Sequence, residues 1–506
     1  MSIHVSGRVR ALFALFALFS LSCAGLDAQS PPPREHPARA HRLVSTSDVG
    51  AQAAFDDGLT LLYAFNPEEA RRAFALAAKD DAGLAMAWWG IAMTYGPNIN
   101  TSYDAGAQRR GREASAKARL AADRATPVER AFIAAAEKRF AYFGEHDAER
   151  SARAYRDAMN GVAAVFTADD DAQALAAEAG LDVHPWEFVT KDGQPTAGTA
   201  GSIARLRTVL ARNPWHLGAN HFIIHALEES AHPGEAVDAA RRLAALDFEP
   251  GAEHLAHMPA HAFMRVGDYR AAGEANAKAV ELYRAYLAQD PAGHADYYGH
   301  DCLFGVDAFM MAGEYRRARV LAAACKASAN VMLARVDLRF RRYDALAQDP
   351  DAGFLAAGMS AVSAGRVDGA ESELAKLRKA DDAAGKISAD VLAAAIARAR
   401  GEGKDELAAL ERAVALQDAQ GYSEPPAFWY PVRESLGGAL LRAGRADAAE
   451  RVFRADLARD PVNPRSLFGL AEALARDGAT SEANEVRAQF ARAWPEAEPA
   501  PALNDL

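Results

Sequence analysis

At 506 residues and a net charge of −11, the chain has room for roughly two to four ordinary domains and lacks the basic footprint that nucleic acid requires. Half of its residues are hydrophobic, so burying a core presents no difficulty. Alanine is abundant and β-branched runs are scarce, a mix that favours helices because alanine costs least to hold in one.

The N-terminus reads as an address. Arg8 and Arg10 precede "ALFALFALFSL" at 11–21, an apolar run too short to span a bilayer. "SCAGLDA" follows, with small residues suited to cleavage after Ala24 or Ala28. The pattern predicts a signal peptide over 1–28 and a periplasmic or secreted mature protein. Cys23 offers an alternative as a lipid-modified first residue, although Ser20 stands where a lipoprotein signal prefers leucine. Residues 29–46 are Pro-rich, charged and aperiodic, and predict a disordered leader. No later stretch is apolar enough to cross a membrane. Only Cys302 and Cys325 remain after processing. They allow one bridge or two buried thiols, and buried thiols are the expectation.

A helical period starts at 47. "AFDDGLTLLYAFNPEEARRAFALAAKDDAG" carries Gly58, Ala70, Phe74 and Ala77, and "AMAWWGIAMTYG", with Trp88, Ala92 and Tyr95, follows in register at a 34-residue period. Residues 104–180 look helical without clean punctuation, and 180–202 predicts a long loop rich in Gly, Pro and Asp. Such loops inside compact folds are often functional. Downstream, "VGDYRAA" at 266–272, "AGEYRRA" at 312–318, "AGRVDGA" at 364–370 and "AGRADAA" at 443–449 share one shape. In each, Gly ends a first helix and Ala opens the close-packed start of a second. The chain thus divides into N-terminal repeat-like helices (47–123), a less regular helical region with the long loop (124–202), histidine-rich repeats (203–330), further repeats (331–498) and a tail (499–506).

A 34-residue helix–turn–helix with these landmarks resembles the tetratricopeptide repeat family, in a secreted or periplasmic bacterial form. The resemblance implies an all-α solenoid of stacked helical hairpins, here with an irregular central helical insertion and loop. It also implies that positions 2, 5, 9, 12 and 13 of each repeat face a concave groove. Counting back from Ala236, Ala272 and Ala318 sets repeat starts at 217, 253 and 299. His221, His225, His254, His257, His261 and His300 then all fall on groove positions, as do Glu228, Glu229 and Asp307. Cys302 and Cys325 fall on core positions.

The spacing leads to the same place without the family. His221 and His225 are four residues apart, as are His257 and His261, so each pair shares a helix face with Cβ atoms about 5–6 Å apart. Neighbouring packed helices lie about 8–10 Å apart, a gap two imidazoles can close on one ion. The six histidines are therefore candidate metal ligands. Glu228, Glu229, Asp307 and, if the long loop acts as a lid, His184 are candidate additional ligands or supporting acceptors. Histidine also suits a metal-free polar groove or a structural network. Pro259 removes a helical hydrogen bond beside the cluster, which predicts either a kink or a helix start there. His216 reads as a cap, and His232 and His294 as surface residues.

Three functions follow. The first is a binding scaffold holding a peptide, protein or small molecule in a groove that carries a transition-metal site. The second is a metal-dependent enzyme with Glu228 or Glu229 as general base. The third is metal storage or delivery. Mixed His and carboxylate ligation suits Zn or Fe, and an all-His set also accepts Cu. No HExxH, phosphate loop, GxSxG or dinucleotide fingerprint is present.

Overall fold

The computed structural model describes residues 38–506 apart from 145, 294, 326–328, 348, 350–352 and 496–500. The expected signal peptide, Cys23, the first half of the expected leader (29–37) and His294 lie outside the described residues.

Helices follow one another as hairpins. In chain order they are α1 (Val49–Tyr63) with α2 (Pro67–Asp80), α3 (Ala85–Met93) with α4 (Ala105–Leu120), α5 (Pro127–Arg139) with α6 (Ala148–Val165), and α7 (Asp170–Leu181) with α8 (Ala197–Arg212). Next come α9 (Leu217–Glu228) with α10 (Val237–Ala244), then α11 (Glu253–His257) and α12 (Pro259–Arg265) with α13 (Tyr269–Gln289), then α14 (Tyr298–Met311) with α15 (Tyr315–Ala324). The series continues with α16 (Ala329–Arg339) and α17 (Tyr343–Leu346), α18 (Gly353–Ser363) and α19 (Val367–Leu377), and α20 (Ala383–Arg400) and α21 (Gly403–Asp418). It closes with α22 (Arg433–Arg442), α23 (Ala446–Arg459), α24 (Pro464–Arg476) and α25 (Thr480–Ala493). No β-strand occurs among the described residues, and none of the described helices is long and apolar enough to cross a membrane. This is the tetratricopeptide-type all-α hairpin fold that the resemblance implies.

The repeated landmarks do the work their chemistry suggests. Gly267 (φ 81°) and Gly313 (φ 76°) end first helices in the left-handed region, which a side chain strongly disfavours. Ala236, Ala272, Ala318, Ala370 and Ala449 are fully buried where the second helices cross their neighbours. Phe74 is a wedge between hairpins: a Cβ on Gly58 would stand 2.6 Å from its ring, and one on Gly90 2.5 Å. The glycines make room for the ring, whose burial is worth about 1.5–3 kcal/mol.

Two sequence expectations are corrected. Residues 197–202, read as loop, begin α8, because the Thr196 hydroxyl accepts from the Thr199 N–H and caps the helix. Cys302 and Cys325 are joined in a disulfide rather than kept as thiols, their Cα atoms 5.9 Å apart on successive helices.

The hairpins also fold back on one another. The Asn66 side chain donates to the Gly251 carbonyl at 3.0 Å, and the Tyr63 hydroxyl to Asp171 at 2.6 Å. Tyr269 reaches the Pro461 carbonyl at 2.8 Å, and Trp494 the Met311 carbonyl at 3.0 Å. The inner faces of α9, α11, α12 and α14 are consequently roofed by other segments of the chain.

Candidate metal centre

α9 opens on His216, whose Nδ1 accepts from the Ala219 N–H at 3.1 Å as the helix cap. One and two turns on, His221 and His225 sit on a helix buried along its whole length. The next histidines occupy a broken helix. It divides at Met258, which keeps right-handed helical angles (φ −49°, ψ −36°) where Pro259 has no N–H to give. The break is a kink. His254 and His257 remain helical before it, and His261 follows it. α14 brings His300 in its first turn.

These six rings form two triads. Ligand nitrogens of His221, His225 and His254 lie within 4.8 Å of one another, as do those of His257, His261 and His300. Ring centroids in the first triad are 4.9, 4.9 and 5.8 Å apart, and in the second 4.8, 4.9 and 6.0 Å. All but the half-buried His300 are buried.

Four of the five well-buried rings are anchored through Nδ1, and His254 instead meets Asn100 Nδ2 through Nε2 at 3.4 Å. His221 Nδ1 donates to the Tyr63 carbonyl at 2.7 Å, and His225 Nδ1 to Glu228 Oε1 at 2.9 Å. His257 Nδ1 donates to Asn276 Oδ1 at 2.6 Å, with Asp301 Oδ1 at 3.2 Å. His261 Nδ1 donates to Glu424 Oε2 at 3.1 Å and lies 2.7 Å from Glu228 Oε2. Glu228 thus braces one ring of each triad. The other nitrogens face inward, those of His257 and His261 toward each other. His221 Nε2, His225 Nε2 and His254 Nδ1 have no hydrogen-bond partner among the protein's atoms. A buried polar atom left unpaired costs about 1–3 kcal/mol, so three together mark a place built for something besides packing. Anchoring one imidazole nitrogen to a carbonyl or carboxylate while the other points into a shared space is the support pattern of metal-binding histidines.

Charge follows from the same geometry. Burial drives His221, His254 and His257 well below the ordinary imidazole range, with neighbouring histidines adding to it, and takes His300 down to about 4. Neutral imidazole is the form that offers a lone pair. Burial opposes charge at His261 too, but the Glu228 carboxylate outweighs it and raises the ring to about 10. That imidazolium donates across 2.9 Å from Nε2 to His257 Nε2. Burial likewise pushes Glu228 upward, and His261 and His225 overcome it, holding the carboxyl well below its usual range. Glu228, His261 and Glu424 form a third potential ligand group, on the opposite side of the His261 ring.

Residues assigned no ligand role from the sequence, Trp186 among them as a packing anchor, build the walls. Phe65, in the left-handed region at φ 53°, packs its ring 4.5 Å from His221 and 5.6 Å from His254. Tyr297 stacks on His254 at 4.6 Å. Trp186, also left-handed at φ 64°, presents an edge to His225 at 5.7 Å from the long loop. Tyr422 and Glu424 arrive from the segment before α22, the Tyr422 hydroxyl 3.3 Å from Glu228. Two cavities adjoin the cluster. One of about 280 Å³ meets His254, Phe65 and Tyr297, and one of about 530 Å³ meets Tyr422 and Glu424.

Several candidates stand elsewhere. Glu229 is the C-cap residue of α9, half-buried and turned off the inward face, so it makes no bond to an imidazole; burial and then Glu228 raise its carboxyl. Asp307 is buried two turns along α14 from His300, where burial lifts its carboxyl to about 7 against Arg335 and Arg339, and it lines the larger cavity. His184 is exposed beside Arg153 and Glu187, and the loop offers the cluster Trp186 instead. The open concave groove expected around the histidines is closed, because Phe65, Trp186 and the segment carrying Glu424 fill it. His232 is exposed in its turn, as a surface residue.

No known family profile and no curated protein match the sequence. Among solved structures, the chain is similar to human IFIT1 in its dimer with PPP-AAAA, at 15% identity over 84% of this chain and 86% of that one, with a TM-score of 0.32. It is similar to a chain of the APC/C hetero-tetramer Cut9-Hcn1 at 13% identity, over 88% and 74% of the two chains, with a TM-score of 0.29. It is similar to yeast Tom70 at 12% identity, over 87% and 91%, with a TM-score of 0.28. At such low scores, the fold rests on the hairpins of this chain itself.

Proposed function

We propose that this protein is an exported tetratricopeptide-type scaffold that holds a transition metal in its buried histidine cluster and offers it to a small molecule. One observation carries the reading: His221 and His225 are anchored by Nδ1 to Tyr63 and Glu228 while their Nε2 atoms and His254 Nδ1, which converge within 4.8 Å, stay unpaired. Imidazole donors suit Zn, Cu or Fe, and the absence of carboxylate from the two triads favours Cu or Zn over Fe. The fold suits protein or ligand binding, but the histidine face is roofed, so a partner protein would use another surface. A small molecule fits the adjoining cavities. The signal-like N-terminus and the Cys302–Cys325 bridge support export, since disulfides persist in oxidising compartments.

A metal-dependent enzyme is the second reading. Three-histidine sets leave coordination positions open for water or substrate. Glu228 is engaged by two imidazoles, so Glu424, which touches both His261 and the 530 Å³ cavity, is the carboxylate in position to move a proton. Elemental analysis of untagged protein tests the main reading. The expected result is stoichiometric Cu or Zn that is lost in the H221A/H257A variant. Only background metal in the wild type would overturn it.

A further inference from the structure

We infer that the cluster takes two metal ions, one on each triad, braced by Glu228 as a shared support; this rests on the metal-site reading above. A tetrahedral ion accepts four ligands, and six imidazoles exceed that number. Their arrangement is partitioned. Ligand nitrogens converge within 4.8 Å in each of the two triads, although ring centroids alone do not divide them, since His254 to His257 at 5.8 Å matches the widest pairs within the triads, 5.8 and 6.0 Å.

Each triad has its own supports. Tyr63 and Glu228 orient the first, while Asn276 and Glu424 orient the second. Of the two histidines before the kink at Met258, His254 joins the first triad and His257 joins the second together with His261 after it, so this broken helix feeds both. Glu228 links the two with one oxygen to each, Oε1 to His225 and Oε2 to His261. A single buried carboxylate shared in this way supplies negative charge to both positions, which lowers the cost of bringing two cations close together. In the second triad an ion would replace the hydrogen bond between His261 Nε2 and His257 Nε2 and release the His261 proton to solvent; three nitrogens per ion then leave each with an open position. Centres with two neighbouring ions use such positions to hold a small bridging ligand between them. His254 lines the 280 Å³ cavity, which gives the first triad a route for such a ligand.

The test is a count. Full-length protein without a polyhistidine tag is stripped with chelator and loaded with Cu(II) or, in parallel, Zn(II). Loosely held ions are removed by desalting in a weakly chelating buffer. We expect two ions per chain in the wild type, and one each in H221A/H225A and H257A/H300A, with circular dichroism showing native helix content. One ion per wild-type chain overturns the two-ion inference and leaves the metal-site reading standing. No retained ion overturns both. Should a double variant fail to fold, H300A at the half-buried rim decides the second triad. One ion retained supports the assignment, and two retained at unchanged affinity overturn it.

Discussion

The hairpins around His221–His300 and those around Glu434–Ser466 use the same packing grammar with opposite contents. In the later region Phe453 wedges between Gly437 and Gly469, as Phe74 does between Gly58 and Gly90. Both regions bury polar groups on inner helix faces. The later one closes its Glu434 and Asp456 carboxylates on protein donors, with Arg339 Nε and Arg465 Nε left without a hydrogen bond. Arg339 binds Glu434 at 2.5 and 2.8 Å, Asn463 spans Glu434 and Asp456 at 2.9 and 2.7 Å, and Ser466 donates to Asp456 at 2.6 Å. The earlier one leaves the inward nitrogens of His221, His225 and His254 unpaired, while those of His257 and His261 meet only each other. Polar burial alone is therefore compatible with pure architecture. The convergence of three unpaired imidazole nitrogens within 4.8 Å, rather than an unpaired atom as such, distinguishes a binding centre.

Substitutions can break or sharpen that contrast. The largest effect belongs to the later region: R339M strands buried Glu434 without its partner and should cost about 3–5 kcal/mol. Denaturant melts should show the loss, while metal content per folded chain stays unchanged. A fall in metal stoichiometry would mean the two regions are coupled. Next, E228Q keeps the shape of the shared brace and removes its charge. Metal affinity should drop about 10–100-fold at both triads, as loss of an outer support generally does, with stoichiometry preserved. Competition titration with a chelator of known strength checks this, and weakening confined to one triad would contradict the shared role. The smallest effect is W186F. Its half-exposed position predicts a stability change within about 0.5 kcal/mol. Trp186 lies 5.7 Å from His225, so Cu(II) should quench its emission, and the variant should show a smaller fractional quench.

Much of this was legible in the chain. The glycine and alanine landmarks set the hairpins, and four-residue histidine spacing showed which rings share a face, because helical geometry is local. What lay hidden depended on long-range closure or on a single residue of rotation. Phe65, Trp186, Tyr422 and Glu424 reach the cluster from segments tens to hundreds of residues away, and no periodicity announces them. Glu228 and Glu229 look alike in sequence, yet about 100° of helix rotation and the end of α9 separate the brace from its bystander. Asp307 shares a helix with His300, but seven residues carry it about 10 Å along the axis to a different cavity. His184 and Trp186 are two residues apart on one loop, and a left-handed turn at the tryptophan brings its ring, instead of the imidazole, over His225.

The Cys302–Cys325 bond bears on how the protein should be made. It closes a loop of sequence separation 23 immediately after His300 and Asp301, and on chain-entropy grounds such a link is worth about 3 kcal/mol. A preparation from a reducing cytosol would carry the same residues without that link, leaving α14 and its rim of the second triad held by packing, chiefly against α13 and α15. Samples from the cytosol and from an oxidising compartment are thus chemically different materials, and the thiol titre has to be fixed before any metal count is compared between laboratories.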